Sequence, residues 1–155
     1  MIKNRRAFIT GIRSTKLLIK EKKFLEKYKP WGVILFSRNI KSLSQTRNLT
    51  NQIRKIFKDK NYPILVDQEG GRVNRFKNFF NAEKLTSDYF GDLYNKDINK
   101  FNDFYKLFIN KTSYLLKLAG LNVNTSPVLD LRYRNSSNII GNRSFSNNPK
   151  IVSDI

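Results

Sequence analysis

The sequence predicts an α/β fold in which parallel strands form one curved sheet with helices outside it. Short apolar runs alternate with longer segments whose apolar residues recur at helical spacing. The runs are apolar at nearly every position, which is typical of strands covered on both faces. The resulting order β-α-β-α-β-α-β favours parallel strands joined by right-handed crossovers. The 155 residues have room for one domain core and show no internal repeat.

The first predicted strand covers residues 7–10, and a helix is predicted over residues 19–28. Four apolar residues recur there at helical spacing: Leu18, Phe24, Leu25 and Tyr28. Pro30 bars further helix, and the Trp31-Gly32 pair is predicted to make the turn into a second strand over residues 33–36.

A second helix follows that strand. Ser42-Leu-Ser-Gln45 fits a capping box, in which a serine and a glutamine side chain satisfy backbone N–H groups at the start of a helix. The apolar stripe of this helix consists of Leu49, Ile53 and Ile56. A third strand is predicted over residues 63–66.

The next long helix begins at Ile98 and ends before Gly120, a residue suited to a left-handed helix cap. Its apolar stripe is long: Phe101, Phe104, Tyr105, Phe108, Leu115, Leu116 and Ala119. The fourth strand is predicted over residues 121–125, whereas residues 76–93 show no assignable pattern. Asn148-Pro149 is typical of a helix start, and because the chain stops soon afterwards we expect a sequence cut there.

Composition limits the possible functions. A net charge of +18 raises nucleic acid as a partner. However, the basic residues are scattered, with one dense cluster at Lys20-Glu-Lys-Lys23, and there is no RNA-binding strand motif. The absence of cysteine excludes disulfides and thiolate metal sites, and the absence of histidine removes the commonest general base and metal ligand. Nucleic-acid binding is therefore disfavoured, and no metal or cofactor is expected.

The segment Ile64-Leu-Val-Asp67-Gln-Glu-Gly-Gly-Arg-Val-Asn-Arg75 carries the strongest functional signal. An acid at the end of a buried strand, beside glycines that allow a sharp turn, suits the binding of a polyhydroxylated ligand. Carboxylates accept hydrogen bonds from sugar hydroxyls, and a guanidinium donates several bonds in a fixed fork. Asp67 and Arg75 could therefore hold one small polar molecule. The alternative is a strand followed by a Gly-Gly turn with a surface salt bridge.

Three further motifs accompany this segment in a fixed order. They are Lys29-Pro-Trp-Gly-Val-Ile-Leu-Phe-Ser-Arg-Asn39, Val123-Asn-Thr-Ser-Pro-Val-Leu-Asp130 and Ile140-Gly-Asn-Arg-Ser-Phe-Ser146. Together the four motifs resemble the family 3 glycoside hydrolases. The resemblance is strongest to the bacterial β-N-acetylhexosaminidase branch, which trims N-acetylglucosamine from cell-wall fragments.

The resemblance implies that residues 1–155 form the amino-terminal half of a (β/α)8 TIM barrel. A complete barrel takes about 250 residues, and about four strand-helix units are recognisable here. Half a barrel has two unpaired strand edges, so the isolated piece is expected to be fragile.

The resemblance also implies an activity, the hydrolysis of terminal β-linked N-acetylglucosamine from peptidoglycan fragments. Hydrolysis with retention needs a nucleophile and an acid/base group. In this branch the nucleophile is an aspartate in a later strand-end motif, and the acid/base is a histidine in a mobile loop. Neither motif occurs in the sequence, so the chain alone is expected to be inactive.

Three residues match the family's sugar-binding positions and are expected to line the pocket at the carboxyl ends of the strands: Asp67, Arg75 and Arg143. Glu69 and Arg72 are expected to brace the loop, and Asp130 is expected to be structural. The chain departs from the family where Asn81-Ala-Glu-Lys-Leu85 lacks the usual proline and where Trp31 replaces a smaller residue.

Three alternatives stay open: a relative acting on β-glucosides, a non-catalytic sugar-binding module and a basic nucleic-acid-binding domain. The expected partner is a small carbohydrate, an N-acetylglucosamine-containing muropeptide. The apolar patch within Met1–Gly11 is too short for the core of a signal peptide, and no run approaches transmembrane length. We therefore expect a cytoplasmic protein.

Overall fold

A computed structural model describes residues 4–133 and 137–155, so the first three residues of the amino-terminal segment lie outside it. The strands are β1 (Arg6–Gly11), β2 (Pro30–Leu35), β3 (Ile64–Val66) and β4 (Val123–Asn124). The helices are α1 (Ile19–Tyr28), α2 (Leu43–Phe57), α3 (Ser87–Lys96), α4 (Ile98–Ala119) and α5 (Pro149–Asp154). Two short 3-10 turns cover Ser37–Asn39 and Gly141–Arg143.

The chain divides into two compact units. The first comprises Met1–Asp67 and Tyr114–Asn124, and therefore contains the whole sheet. The second comprises Gln68–Ser113 and Thr125–Ile155, and contains α3, α5 and the first part of α4.

The sheet of the first unit has the order β1-β2-β3-β4, and every neighbouring pair is parallel. Val33 pairs with Ile64, and Leu65 pairs with Val123. All three residues of β3 are buried, as expected for a strand covered on both faces. The predicted α/β class with parallel strands is confirmed, and all four strands lie near their predicted positions.

The predicted turn at Trp31-Gly32 is wrong. Helix α1 ends at Tyr28, and Lys29 turns the chain in the left-handed conformation with φ 48° and ψ 62°. Strand β2 begins at Pro30, a position that proline tolerates because the first residue of a strand need not donate to the ladder. A Cβ at Gly32 would lie 2.8 Å from Leu65 Cδ1 and 3.2 Å from the Pro63 carbonyl oxygen, so a larger residue there would require neighbouring atoms to shift.

The predicted capping box at the start of α2 is confirmed for the serine and shifted for the glutamine. Ser42 Oγ accepts a hydrogen bond from the Gln45 backbone N–H at 3.2 Å. The Gln45 side-chain oxygen accepts from the backbone N–H of Lys41, one residue before the cap, at 2.9 Å. Both contacts stabilise the same helix start.

The second unit has its own aromatic core. Its buried members are Ala82, Phe90, Phe101, Phe108, Phe145 and Val152. Phe101 and Phe108 are two helical turns apart and share the buried face of α4. The assignment of Phe104 to the buried stripe is wrong, because this side chain lies on the flank of the helix and is 54% exposed.

Helix α3 begins within the stretch of residues 76–93 that showed no assignable pattern and extends beyond it to Lys96. Its N-cap is Thr86, whose side-chain oxygen accepts a hydrogen bond from the Tyr89 backbone N–H at 3.0 Å. Asp88 adds an acidic residue in the first turn. Thr86 and Asp88 mark this helix start, a signal that we did not use in predicting the elements.

Candidate functional site

The loop that follows β3 turns back on itself within a few residues. Gly70 and Gly71 both have positive φ, 95° and 54°. The Glu69 backbone N–H donates to the Val73 carbonyl at 3.1 Å, and the Val73 N–H donates to the Gly70 carbonyl at 3.1 Å. The two glycines therefore produce the sharp turn that the sequence indicated.

A buried amide network shapes the far side of this loop. Gln68 is 1% exposed, and its side-chain oxygen accepts from the backbone N–H groups of Arg75 at 2.8 Å and Phe76 at 3.2 Å. Its side-chain amide donates to Asn74 Oδ1 at 3.0 Å, and the Asn74 amide donates to the Phe80 carbonyl at 2.8 Å. The network fixes the backbone that carries the half-buried Arg75 side chain. Sequence reasoning missed both amides, although they flank the Gly-Gly turn.

An ion pair connects the start of the loop to the Gly141–Arg143 turn. Arg143 Nε donates to Glu69 Oε2 at 2.8 Å, and Arg143 Nη2 donates to Glu69 Oε1 at 2.8 Å. The Glu69 side chain is 6% exposed and that of Arg143 is 25% exposed. A bidentate pair with this little exposure fixes the plane of the guanidinium as well as its position.

Arg72 holds the segment just before Arg143. Its Nη2 donates to the backbone carbonyls of Asn138 at 2.9 Å and Ile140 at 3.0 Å, and also to that of Ile139. Glu69 and Arg72 thus both fasten residues 138–143 to the loop. These contacts agree with the bracing role expected for the two side chains.

The predicted site residues fall in different parts of the structure. Asp67 follows β3 directly, is half-buried and belongs to the first unit. Arg75 and Arg143 belong to the second unit. The Arg75 backbone N–H donates to the Gln68 side chain. The Arg143 guanidinium donates to Glu69, the residue after Gln68. The convergence of Asp67 with the two arginines stays a prediction. Asp130 is exposed.

The side chains of this loop include both hydrogen-bond donors and hydrogen-bond acceptors. Across residues 4–133 and 137–155, no group of three or more histidine, cysteine, aspartate or glutamate residues is placed to hold a metal ion. Carboxylate and guanidinium groups complement the hydroxyl and carbonyl oxygens of a sugar. Among the helices in residues 4–133 and 137–155, none has the length and hydrophobicity needed to span a membrane.

Comparison with known proteins gives consistent matches. The family model described as "Glycosyl hydrolase family 3 N terminal domain" matches residues 9–155. A "Beta-hexosaminidase" of Thioalkalivibrio sulfidiphilus is 31% identical over 144 residues, which cover 93% of this chain and 41% of that protein. A "Beta-hexosaminidase" of Stenotrophomonas maltophilia is 33% identical over 144 residues, covering 93% of this chain and 42% of that protein.

The fold is also similar to a solved structure, that of NagZ from Neisseria gonorrhoeae in complex with N-trifluoroacetyl-D-glucosamine. The TM-score is 0.85 at 30% sequence identity, and the match covers 96% of this chain and 44% of that one. This chain therefore spans less than half the length of the relatives it matches. Four consecutive parallel strands over that share agree with the amino-terminal half of a (β/α)8 barrel.

Proposed function

The chain belongs to glycosyl hydrolase family 3, and on that premise we propose that it forms the sugar-binding, amino-terminal part of an enzyme that removes terminal β-linked N-acetylglucosamine. Two relatives named beta-hexosaminidase support this activity. The solved relative in complex with an N-acylated glucosamine supports the sugar class. The match covers 41% of the first relative's length, and the proposed activity is that of an enzyme with the length of that relative.

The observation that supports the proposal most directly is the structure of the loop after β3. Its turn, its amide network and its ion pair hold two arginines, Arg75 and Arg143, relative to the residues that follow Asp67. In the proposed pocket the Asp67 carboxylate accepts hydrogen bonds from sugar hydroxyls, and the guanidinium groups donate to sugar oxygens. Such groups orient a sugar but do not cleave its glycosidic bond.

Catalysis is proposed to come from residues outside this sequence. Retaining hydrolysis requires a nucleophile and an acid that later acts as a base. The family resemblance implies an aspartate for the first role and a histidine for the second, and the 155 residues contain no histidine.

We propose an N-acetylglucosamine-containing peptidoglycan fragment as the substrate and the cytoplasm as the location. Both rest on the resemblance to the cell-wall branch of the family. Fractionation of the source cells tests the location, and an assay with purified muropeptides tests the substrate.

The enzymatic function is tested by comparing residues 1–155 with a version extended to a full barrel by the carboxyl-terminal part of the N. gonorrhoeae relative. The extended protein is expected to hydrolyse a chromogenic β-N-acetylglucosaminide, and Asp67→Ala in it is expected to abolish turnover. The short chain is expected to show none. Turnover by the short chain alone would place the catalytic groups within these residues and contradict the proposal. Cleavage of a β-glucoside in preference to the N-acetylglucosaminide would instead favour the β-glucosidase alternative.

A further inference from the structure

We propose that Glu69 is a positioning residue, which holds the Arg143 guanidinium in the orientation that binds the sugar. This inference rests on the proposed function and adds to it a residue that does not itself touch the sugar. It predicts that the affinity for the sugar depends on the negative charge of Glu69, which is buried next to Arg143.

The first argument is the geometry of the pair. Both Glu69 oxygens are engaged, at 2.8 Å each, by two different nitrogens of the same guanidinium. Two parallel charge-assisted bonds fix the plane of the guanidinium, and with it the directions of all its N–H groups. An arginine side chain without such a partner samples many rotamers, so ordering it on binding a sugar would weaken the affinity.

The second argument is burial. Glu69 is 6% exposed at its side chain, so solvent does not compete effectively for its oxygens. Arg143 is 25% exposed at its side chain, so part of this side chain is reachable from solvent. The buried Glu69 carboxylate can therefore orient Arg143, while the more exposed Arg143 side chain can contact a ligand. That division suits a positioning residue and a contact residue.

The third argument is that the segment carrying Arg143 has fastenings that do not involve Glu69. Arg72 donates to the carbonyls of residues 138–140. Gly91 of α3 lies so close to the segment that a Cβ there would fall 1.8 Å from the Phe145 carbonyl oxygen. Neutralising Glu69 should therefore weaken the ordering of the guanidinium while leaving the backbone of the segment in place.

The test uses the 155-residue chain and two NMR readouts, the Nε–Hε signal of Arg143 and a titration with N-acetylglucosamine. The signal is assigned by its loss in Arg143→Lys. In Glu69→Gln we expect it to move and to exchange with water at least about tenfold faster, because a neutral amide no longer supplies a charge-assisted acceptor. We expect the dissociation constant for the sugar to rise about tenfold, the size typical of losing a hydrogen bond to a charged group.

The matched control is Glu83→Gln, which makes the same charge change at an exposed glutamate of the same unit. It should alter neither readout. The Phe145 signals should stay unchanged in Glu69→Gln if the segment keeps its fold.

Two results would overturn the inference. One is an Arg143 Nε–Hε signal that Glu69→Gln leaves unchanged, and the other is an altered signal with unaltered sugar affinity. Failure of the proposed function looks different. In that case the unmodified chain would bind no sugar, and Glu69→Gln would still change the Arg143 Nε–Hε signal. The Glu69–Arg143 pair would then have a structural role.

Discussion

At the scale of a single residue, Gly70 explains why the loop after β3 contains glycine. Its φ of 95° lies in the region that side chains with a Cβ rarely adopt, and a Cβ would fall 2.1 Å from the Leu85 carbonyl oxygen. The neighbouring Gly71 has a positive φ as well, and a Cβ there would lie 2.8 Å from Thr86 Cγ2. The Gly-Gly turn thus serves both backbone conformation and close packing.

Gly70→Ala is expected to destabilise the fold by roughly 3 kcal/mol, from strain and overlap together. Gly141→Ala is the matched control, since Gly141 also has a positive φ, 47°, but a Cβ there would meet only Arg72 Nη2, at 3.6 Å. The control should cost about 1 kcal/mol, the strain alone. Urea unfolding of both variants measures the difference, and equal losses would show that the overlap with Leu85 is relieved without cost.

Gln68→Leu is expected to cost about 2 kcal/mol, because it removes the acceptor of the Arg75 backbone N–H, one of the two acceptors of the buried Phe76 N–H and the donor to Asn74 Oδ1. Exposed Gln52→Leu provides the control. The sequence indicated Asp67 and Arg75 as site residues, but not the amides that support them. Strand-end acids can be read from a pattern, whereas the partner of a buried amide depends on where the turn brings the chain back. A loss below about 0.5 kcal/mol in urea unfolding would contradict the importance of this network.

At the scale of elements, starts and ends of helices were predictable where a capping side chain or a glycine marks them. Ser42, Asn148 and Gly120 all cap helices as expected. The turn at Lys29 was not predictable, because a lysine in the left-handed conformation has no distinctive sequence signal. Helix α3 was missed because its aromatic residues obscure the periodicity, although Thr86 marks its start.

Ser42→Ala is expected to destabilise the first unit by about 1 kcal/mol through loss of the N-cap of α2. Ser42→Gly should cost only a few tenths, since glycine tolerates the cap conformation. Thermal or urea unfolding of the two variants distinguishes these outcomes. An alanine variant as stable as the unmodified chain would assign the serine hydroxyl no role.

Tyr62 links the end of α2 to the sheet and makes stability depend on pH. Its hydroxyl donates to the Pro30 carbonyl at 2.9 Å, and burial raises the pKa of Tyr62 above its usual 10.0. The folded state therefore favours the neutral phenol. Its contribution to stability is complete below about pH 10 and is lost as pH rises above that value, where the unfolded chain ionises first.

In Tyr62→Phe, the free energy of unfolding should consequently fall less steeply with pH between about pH 9 and pH 11 than in the unmodified chain. Exposed Tyr114→Phe is the control and should leave the slope of the unmodified chain in place. Urea unfolding across this pH range gives the slopes. A Tyr62→Phe slope equal to that of the unmodified chain would contradict the effect of burial.

At the scale of the whole molecule, the parallel direction of the strands followed from the sequence. Each apolar run is separated from the next by a helix, and such connections produce parallel neighbours. The sequence also indicated which loop carries the polar chemistry. It could not show that Arg143 reaches Glu69, because that contact joins residues 74 positions apart. Only the fold determines a contact of that separation.

The central claim is that Asp67, Arg75 and Arg143 together bind N-acetylglucosamine, and an NMR titration of the 155-residue chain with this sugar tests it most directly. We expect weak, saturable binding that favours N-acetylglucosamine over glucose. Asp67→Ala, Arg75→Ala and Arg143→Ala should each abolish it, while Asp103→Asn, at an exposed carboxylate, should preserve it. No saturable binding by the unmodified chain, or equal binding by the unmodified chain and the three alanine variants, would contradict the claim.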